Sequence, residues 1–228
     1  MNGSEADAEV AARVATFRKA LQDFGRVPDT NLRVDARFGG NDDDLHRKAK
    51  ELVELAPDVI LASSSVAVAA LQRASRSVPI VFVAVVDPVG SGFVANLARP
   101  GGNATGFTNF EYGLSGKWLE LLKEISPAVR RAAVLRDAAS PGEIGMLAAL
   151  QSAAPSFGVE LSTIGMRDAG EIEHETIAFA RAPNGGLIVL GSALANTHRD
   201  LIILLTDQHR LPAVYPDRIF VANGGLIS

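Results

Sequence analysis

Apolar and polar residues alternate along the chain at two spacings, one typical of helices and one typical of buried strands. The first helical stripe has steps of three or four residues, and it consists of Val10, Val14, Phe17, Leu21 and Phe24. This spacing predicts a helix with one apolar face. Gly25 follows the stripe directly and is a typical residue at a helix end.

Two further helical stripes follow the same pattern. One begins after aspartates at positions 42–44, which favour a helix N-terminus through capping and the helix dipole. Its apolar positions are Leu45, Ala49, Leu52 and Leu55. The other carries Leu114, Trp118, Leu121, Leu122 and Ile125. We expect the Trp118 side chain to belong to the core, because it lies on this apolar face.

Short apolar runs separate the helical stretches and predict strands. The first predicted strand alternates apolar and polar residues, and the later ones are continuous apolar runs typical of strands buried on both faces. The predicted strands cover residues 31–38, 59–62, 80–86, 104–108, 132–135, 159–164, 187–190 and 213–215. Their starts lie about 22 to 28 residues apart, the length that a strand, a crossover helix and the next parallel strand require. The predicted class is doubly wound α/β.

A region rich in helix-breaking residues marks the expected division of the chain. Residues 88–102 contain several prolines and glycines, too many for a regular crossover helix throughout. A polar and aromatic stretch at 108–113 then precedes a new amphipathic helix. We therefore predict an N-terminal lobe at residues 1–108 and a C-terminal lobe at residues 109–228.

Composition and charge narrow the function classes. Of the 228 residues, 47% are hydrophobic and 21% charged, as in ordinary globular proteins. The net charge of −4 is spread over both halves, which argues against a nucleic-acid-binding face. There are no cysteines, so disulfides, thiol catalysis and thiolate metal sites are excluded. With neither a long apolar run nor a signal-peptide pattern, we expect a soluble chain without an export signal.

One glycine-rich segment offers a nucleotide-binding alternative. Residues 90–95 match the dinucleotide pattern G-x-G-x-x-G/A after an apolar run. The match is weak, because three residues separate the run from the first glycine, and Glu111 supplies the required acidic residue only loosely. The four histidines show no metal-ligand spacing, and we expect them on solvated helix surfaces.

Polar residues at the predicted strand ends form the stronger candidate site. In open α/β sheets, ligands bind outside the carboxyl ends of the strands. Loops at these ends include residues 137–140 and 215–217, and the candidate solute-binding residues are Ser63, Ser64, Ser65, Asp87, Asp137, Ser192 and Tyr215. Each also has a structural alternative, because serines cap helices and Asp87-Pro88 is a common turn pair.

The chemistry of this set points to binding. These loops contain no histidine, cysteine or lysine that could act as a nucleophile or an acid–base group. Hydroxyls, carboxylates and a tyrosine are suited to hold a polar small molecule between two closing lobes. We therefore predict no enzymatic activity, no cofactor and no metal.

Three consecutive segments carry a resemblance to a known family. They read VPIVFV at 78–83, DPVGSGFV at 87–94 and LARPGGNATG at 97–106. The chain resembles the ABC transporter substrate-binding proteins of the tryptophan/tyrosine type, which have the type 1 periplasmic binding-protein fold. The similarity extends along essentially the whole chain, including LELLKEI at 119–125 and NGGLIS at 223–228.

The resemblance implies two Rossmann-like lobes with parallel sheets, joined by hinge strands, and a small solute bound in the cleft between them. The implied partners are the permease and ATPase subunits of a membrane transporter. By position, Ser64, Ser65 and Asp87 match loops of the first lobe, and Asp137, Ser192 and Tyr215 match loops of the second. The resemblance also implies a periplasmic location, a monomer when complete and no nucleic-acid partner.

The two ends of the chain depart from the family pattern. Similar proteins carry an export signal and a first strand before the position of Met1, and they continue past Ser228 into a returning crossover. We therefore expect the first strand and the C-terminal crossover of the fold to be missing, with consequences for folding, ligand binding and export. Two alternatives stay open at this stage, a nucleotide-dependent α/β enzyme and a ligand-sensing domain of a regulator.

Overall fold

The computed structural model describes residues 8–28, 30–39 and 42–228 of the chain. Helix α1 (Ala8–Asp23) confirms the first predicted helix, and Gly25 follows it with a φ of +75°. Its apolar stripe is only partly covered, since Val10, Val14 and Leu21 are half-buried and Phe24 is 84% exposed. The second predicted helix is also confirmed as α2 (Asp42–Glu54), which begins with the three aspartates.

The N-terminal sheet contains three parallel strands in the order β1 (Ile60–Ser63), β2 (Ile80–Val86) and β3 (Ala104–Phe110). Helix α3 (Ser65–Ala74) connects β1 with β2 and packs against α2. Turns and bends, without helix in this described stretch, connect β2 with β3, as the glycine and proline residues predict. Phe93 and Val94 from this connection complete the apolar core of the sheet.

The strand predicted at residues 31–38 is wrong. This stretch lies within the described residues and forms no strand there, and Leu32 makes an isolated bridge to Pro28. Val34 is 40% exposed, so the alternating pattern does not bury one face against a core. Alternation of apolar and polar residues produces a strand only where a neighbouring strand accepts its backbone hydrogen bonds.

The C-terminal sheet contains four parallel strands in the order β5-β4-β6-β7. The strands are β4 (Arg131–Arg136), β5 (Glu160–Gly165), β6 (Gly185–Val189) and β7 (Ala213–Val214). Residues 132–135 in the centre of the sheet are fully buried, as the continuous apolar run predicts. Parallel strands in two sheets confirm the predicted α/β class.

Helices cover both faces of the C-terminal sheet. They are α4 (Ser115–Ile125), α5 (Pro141–Ala153), α6 (Ala169–Ala180), α7 (Ala193–Thr197), α8 (Arg199–Gln208) and α9 (Arg218–Ala222). Short 3₁₀ segments occur at Tyr112–Leu114 and Ala154–Phe157. Two apolar clusters, one on each side of β4 and β6, form the core of this part. Within the described residues, no helix has the length and apolar character needed to cross a membrane.

The connection between the sheets runs from β3 through the 3₁₀ turn into α4. β3 continues to Phe110, two residues beyond the predicted boundary at 108, and this boundary stays a prediction. The ring of Trp118 in α4 packs edge-to-face on Phe110, with 5.8 Å between ring centroids. Trp118 is 9% exposed and belongs to the core, as its position on an apolar helix face predicts.

Candidate functional site

A cavity of about 160 Å³ lies between the carboxyl ends of the two sheets. The turn after β1 and the carboxyl end of β2 form one wall, and the loops after β4 and β6 form the other. Five of the seven predicted site residues line it, namely Ser63, Ser64, Ser65, Asp137 and Ser192. The apolar part of the lining includes Val66, Val86 and Phe110. The two sheets therefore face each other across a site of mixed polarity, which is typical of small-molecule pockets.

The N-terminal wall is built on the turn from β1 into α3. Ser64 is the N-cap of α3, and its Oγ accepts a hydrogen bond from the backbone N–H of Ala67 at 3.4 Å. Ser65 is buried, and its Oγ accepts from the backbone N–H of Val86 at 3.2 Å. This second bond ties the end of β2 to the start of α3. The first N–H groups of α3 have no partner within the helix and point towards its N-terminal end.

The C-terminal wall lies at the point where the strand order reverses. Chain connections leave β4 towards β5 on one side, and β6 pairs with β4 on the other side. Crevices at such reversal points are the usual ligand sites of open parallel sheets. Asp137 follows β4, and its Oδ1 accepts from the N–H of Ala139 at 2.9 Å. Ser192 follows β6 and caps α7, accepting from the N–H of Ala195 at 3.1 Å.

A buried carboxyl group lies behind this second wall. Glu143, in the first turn of α5, is fully buried, and its Oε2 accepts a hydrogen bond from the backbone N–H of Asp137 at 2.6 Å. Burial raises the pKa of Glu143 to about 8, and the Asp137 carboxylate adds to this rise. The Asp137 N–H, the Ser192 hydroxyl and the Arg136 guanidinium act in the opposite direction. Glu143 is therefore mainly neutral at pH 7.

Asp87, which the sequence analysis placed among the site residues, lies in a turn after β2 rather than in the cavity lining. Its Oδ1 accepts from the N–H of Gly90 at 2.8 Å, and its own N–H donates to the carbonyl of Phe110 at 2.8 Å. The φ of Asp87 is +33°, an uncommon backbone conformation for a residue other than glycine. Asp87 therefore has the structural position that the sequence offered as the alternative, a residue in a turn.

Tyr215 is also outside the cavity. The side chain is 1% exposed, its ring stacks on Phe220 at 5.2 Å, and its hydroxyl shares a 2.6 Å hydrogen bond with that of Thr206. A large aromatic ring gains more by burial in the core of the C-terminal sheet than at a wet loop end. This placement leaves the Tyr215 hydroxyl without access to a solute in the cavity.

Several cavity residues were not among the sequence-based candidates. Asp217 lies in the predicted loop after β7, two residues beyond Tyr215. Asn196 follows Ser192 by four residues, the spacing that places both on one helix face. The Oδ1 atom of Asn196 is buried and has no hydrogen-bond partner among the described residues. Arg13 of α1 also lines the cavity. The sequence did not predict this position, because the pattern of α1 indicates only an amphipathic helix.

Backbone strain is concentrated on the N-terminal side of the site. Ser64 has a φ of +99° and Ala84 a φ of +53°. Ala84 lines the cavity and lies where the pairing of β2 with β3 shifts register, between Phe82 and Val85. Non-glycine residues with positive φ cost of order 1–3 kcal/mol each and cluster at functional sites.

The glycine-rich segment at 90–95 does not form a nucleotide-binding turn. The dinucleotide motif requires a strand, a tight turn and a helix whose N-terminus meets the phosphates. Here residues 90–95 form turns and bends, and the N–H groups of Phe93 and Val94 both donate to the carbonyl of Pro88. Phe93 and Val94 are buried in the core. This geometry does not favour the nucleotide-dependent alternative.

Comparisons with known proteins find relatives that cover most of this chain. Over 211 residues the chain is 26% identical to a tyrosine-binding protein of Clostridioides difficile, covering 92% of this chain. The chain spans 60% of the length of that relative. A crystal structure of a conserved domain protein from Vibrio cholerae is 25% identical, with a TM-score of 0.86 over 99% of this chain and 75% of the other.

A second solved structure shows the same fold at lower identity. It is the ABC domain from Streptococcus pneumoniae in complex with L-Trp, 19% identical, with a TM-score of 0.80 over 94% of this chain and 74% of the other. The family model described as ABC transporter substrate binding protein matches residues 5–228. The relatives do not favour a nucleotide-dependent enzyme or a regulator domain. With its two parallel sheets around one cavity and a family match along almost its entire length, this chain belongs to the ABC transporter substrate binding protein family.

Proposed function

We propose that this chain acts as the solute-binding component of an ABC-type uptake transporter and captures a small polar or amino-acid-like solute. The observation that carries the proposal is the convergence of Ser64, Asp137 and Ser192 in one cavity, from loops on two different sheets. A solute that bridges both walls is bound better when they approach each other, so binding favours closure. Membership of the family supports the same role.

The N-terminal wall is suited to a carboxylate. The N–H groups at the start of α3, apart from that of Ala67, which Ser64 caps, and the positive end of the helix dipole attract an anion. The hydroxyls of Ser63 and Ser64 line the cavity beside this helix end and can donate further hydrogen bonds. We infer that a carboxylate group of the solute lies here.

The C-terminal wall is suited to an ammonium group. The Asp137 residue is 8% exposed, so solvent screens its charge less than that of a surface aspartate. Asp217 adds a second carboxylate to the lining. Val86 and Phe110 give the apolar surface that a solute's hydrocarbon or ring would contact. A cavity of about 150 Å³ accommodates benzene, so 160 Å³ has room for a small solute with a single ring.

The side chains of the lining support binding without bond formation or cleavage. The polar ones are hydroxyls, one amide, carboxylates and Arg13. These groups hold charged and hydrogen-bonding parts of a solute and have no oriented nucleophile–base pair among the described residues. We propose that the protein is not an enzyme.

The relatives suggest the solutes and partners to test. One relative is named for tyrosine, and one structure of the same fold holds L-Trp. We propose an aromatic amino acid as the first solute, delivered to the permease and ATPase subunits of a membrane transporter. This role places the protein in the periplasm, and we propose that it acts there as a monomer.

Isothermal titration calorimetry of the 228-residue chain with L-tyrosine, L-tryptophan, benzoate and glucose tests the proposal. We expect saturable binding of an amino acid and weaker binding of benzoate, which has no ammonium group. Asp137→Asn is expected to weaken amino-acid binding about tenfold or more, because a desolvated charge pair is lost. Asp168→Asn is the matched control, since Asp168 caps α6 through the N–H of Glu171 and lies outside the cavity lining.

Two outcomes would contradict the proposal. One is the absence of heat with all four solutes together with an unchanged melting temperature, because a ligand that binds the native state must raise it. The other is equal loss of affinity in Asp137→Asn and Asp168→Asn, which would assign the effect to general loosening of the C-terminal lobe.

A further inference from the structure

Glu143 is a buried acidic group that a solute in the cavity would not touch. Its side chain is fully buried in the first turn of α5, behind the residues that line the C-terminal wall. Oε2 accepts from the Asp137 N–H at 2.6 Å, and Oε1 has no hydrogen-bond partner among the described residues. Because Oε2 acts as the acceptor, the proton of the neutral carboxyl is best placed on Oε1.

The carboxyl group lies between two loops that reach the site from different strands. Asp137 follows β4 and Ser192 follows β6, two neighbouring strands at the reversal in strand order. Glu143 holds the first loop through the Asp137 N–H, and the Ser192 hydroxyl of the second loop is near enough to lower the pKa of Glu143. One side chain therefore contacts the backbone of one wall loop and faces the helix cap of the other.

The charged groups around Glu143 determine what its ionisation would do. They are the Asp137 carboxylate and the Arg136 guanidinium, both from the end of β4. Arg136 has a buried Nη1 atom without a hydrogen-bond partner in the described structure, so it does not form a tight ion pair through that atom. A charged Glu143 would repel the Asp137 carboxylate and draw water into the wall.

We propose that Glu143 is a positioning residue of the solute site, whose neutral carboxyl group fixes the Asp137 loop relative to the Ser192 loop. This inference rests on the proposed solute-binding function. It assigns Glu143 no contact with the solute. Its effect is on the spacing of two groups that would contact the solute, and ionisation weakens it because the buried charge repels the Asp137 carboxylate and attracts water.

The test compares the wild type, Glu143→Gln and Glu143→Ala in their affinity for L-tyrosine from about pH 6 to about pH 9. Glutamine keeps an acceptor oxygen for the Asp137 N–H and cannot ionise. L-tyrosine itself titrates near the upper end of this range, so the measured quantity is the ratio of wild-type to Glu143→Gln dissociation constants at each pH. The solute's own ionisation cancels in this ratio.

We expect Glu143→Gln to bind within about twofold of the wild type near pH 6, where both side chains are neutral. If only the protonated form binds, a group with a pKa of about 8 loses about tenfold in affinity by pH 9, so the ratio should rise about tenfold. Glu143→Ala should bind more weakly at every pH, because the Asp137 N–H loses its partner. A flat ratio, or wild-type affinity in Glu143→Ala, would overturn the inference.

A second measurement separates this inference from the proposed function. Hydrogen–deuterium exchange of the free protein reports whether the loops at 137–140 and 192–195 loosen above about pH 8. We expect this loosening, corrected for intrinsic exchange, in the wild type and not in Glu143→Gln. If no solute binds, the proposed function fails, and the exchange result still decides the role of Glu143. Equal exchange in both proteins across the pH range would overturn that role.

Discussion

Gly142 in α5 lies against Val86 at the end of β2, so closely that a β-carbon on residue 142 would come within 2.6 Å of the Val86 Cβ. The same β-carbon would lie 3.2 Å from the Oγ of Ser65. This contact joins α5, which packs on the C-terminal sheet, to β2 of the N-terminal sheet beside the cavity. The absence of a side chain at residue 142 sets how closely the two walls approach.

Gly142→Ala should therefore weaken solute binding by holding the two walls apart. Overlap with Val86 at 2.6 Å cannot be relieved by a flexible side-chain end, because the obstructing atom is a β-carbon. We expect the dissociation constant for L-tyrosine to rise about tenfold, since misplacement of one wall removes part of its hydrogen bonding. Calorimetry gives the affinity, and small-angle scattering gives the radius of gyration, which should increase.

Gly116→Ala is the matched control for this prediction. Gly116 also lies in a helix, and a β-carbon there would meet no atom of the described chain within 4 Å. Gly116 is the second residue of α4, so alanine there should change the free energy of unfolding by less than about 1 kcal/mol and leave the affinity unchanged. Wild-type affinity in Gly142→Ala would contradict the prediction.

Because Glu143 is buried, the free energy of unfolding of the protein should fall as the pH rises and this carboxyl group loses its proton. Its pKa is about 8 in the folded protein and near 4.5 when exposed, so the folded state binds the proton more tightly. The contribution of Glu143 protonation to the free energy of unfolding is therefore fully present below about pH 4.5, and it is lost progressively as the pH rises to about 8. Urea unfolding at several pH values should show this slope in the wild type and a smaller slope in Glu143→Gln. Identical slopes would show that Glu143 is not the group responsible.

Tyr215→Phe should cost stability without changing solute affinity. The substitution removes one side of the 2.6 Å hydrogen bond to Thr206 and keeps the ring that stacks on Phe220. Because the Thr206 hydroxyl also donates to the carbonyl of Ile203, the expected loss is about 1 kcal/mol in the free energy of unfolding. A large loss of affinity at unchanged stability would instead favour the role in solute binding that the sequence suggested.

Gly106→Ala should destabilise the N-terminal sheet severely. A β-carbon on residue 106 of β3 would overlap the carbonyl oxygen of Phe82 in β2, the central strand, whose backbone atoms have little freedom to move. We expect a loss of at least about 2 kcal/mol in thermal or urea unfolding. Gly113→Ala is the control, because nothing in the described chain lies within 4 Å of its added β-carbon. Equal stability of the two variants would refute this prediction.

The sequence predicted the strands well where burial determines them. The apolar runs of β2 and β4 lie in the central strands of their sheets. β4 is buried on both faces, as a continuous apolar run predicts, whereas three residues of β2 are half-buried. Residues 31–38 have an equally regular alternation and form no strand within the described range, because pairing depends on a neighbour that the local pattern does not reveal.

The candidate site was predictable as a set of loops and less so as individual side chains. Carboxyl ends of parallel strands share one edge, so Ser64, Asp137 and Ser192 were found from position alone. In the loop after β7 the sequence favoured Tyr215, whereas Asp217 lines the cavity, because burial takes the ring into the core. Glu143 was missed because a single glutamate in a helix gives no sign of being buried.

The left-handed backbone at Ser64 and Ala84 sets a practical limit on engineering a more heat-resistant form. Glycine at either position would relieve local conformational energy, and a screen for higher melting temperature would select such changes. The same replacements would make the backbone beside the proposed carboxylate subsite more flexible. Substitutions that raise the melting temperature are therefore better placed on the side of the C-terminal sheet that faces away from the cavity.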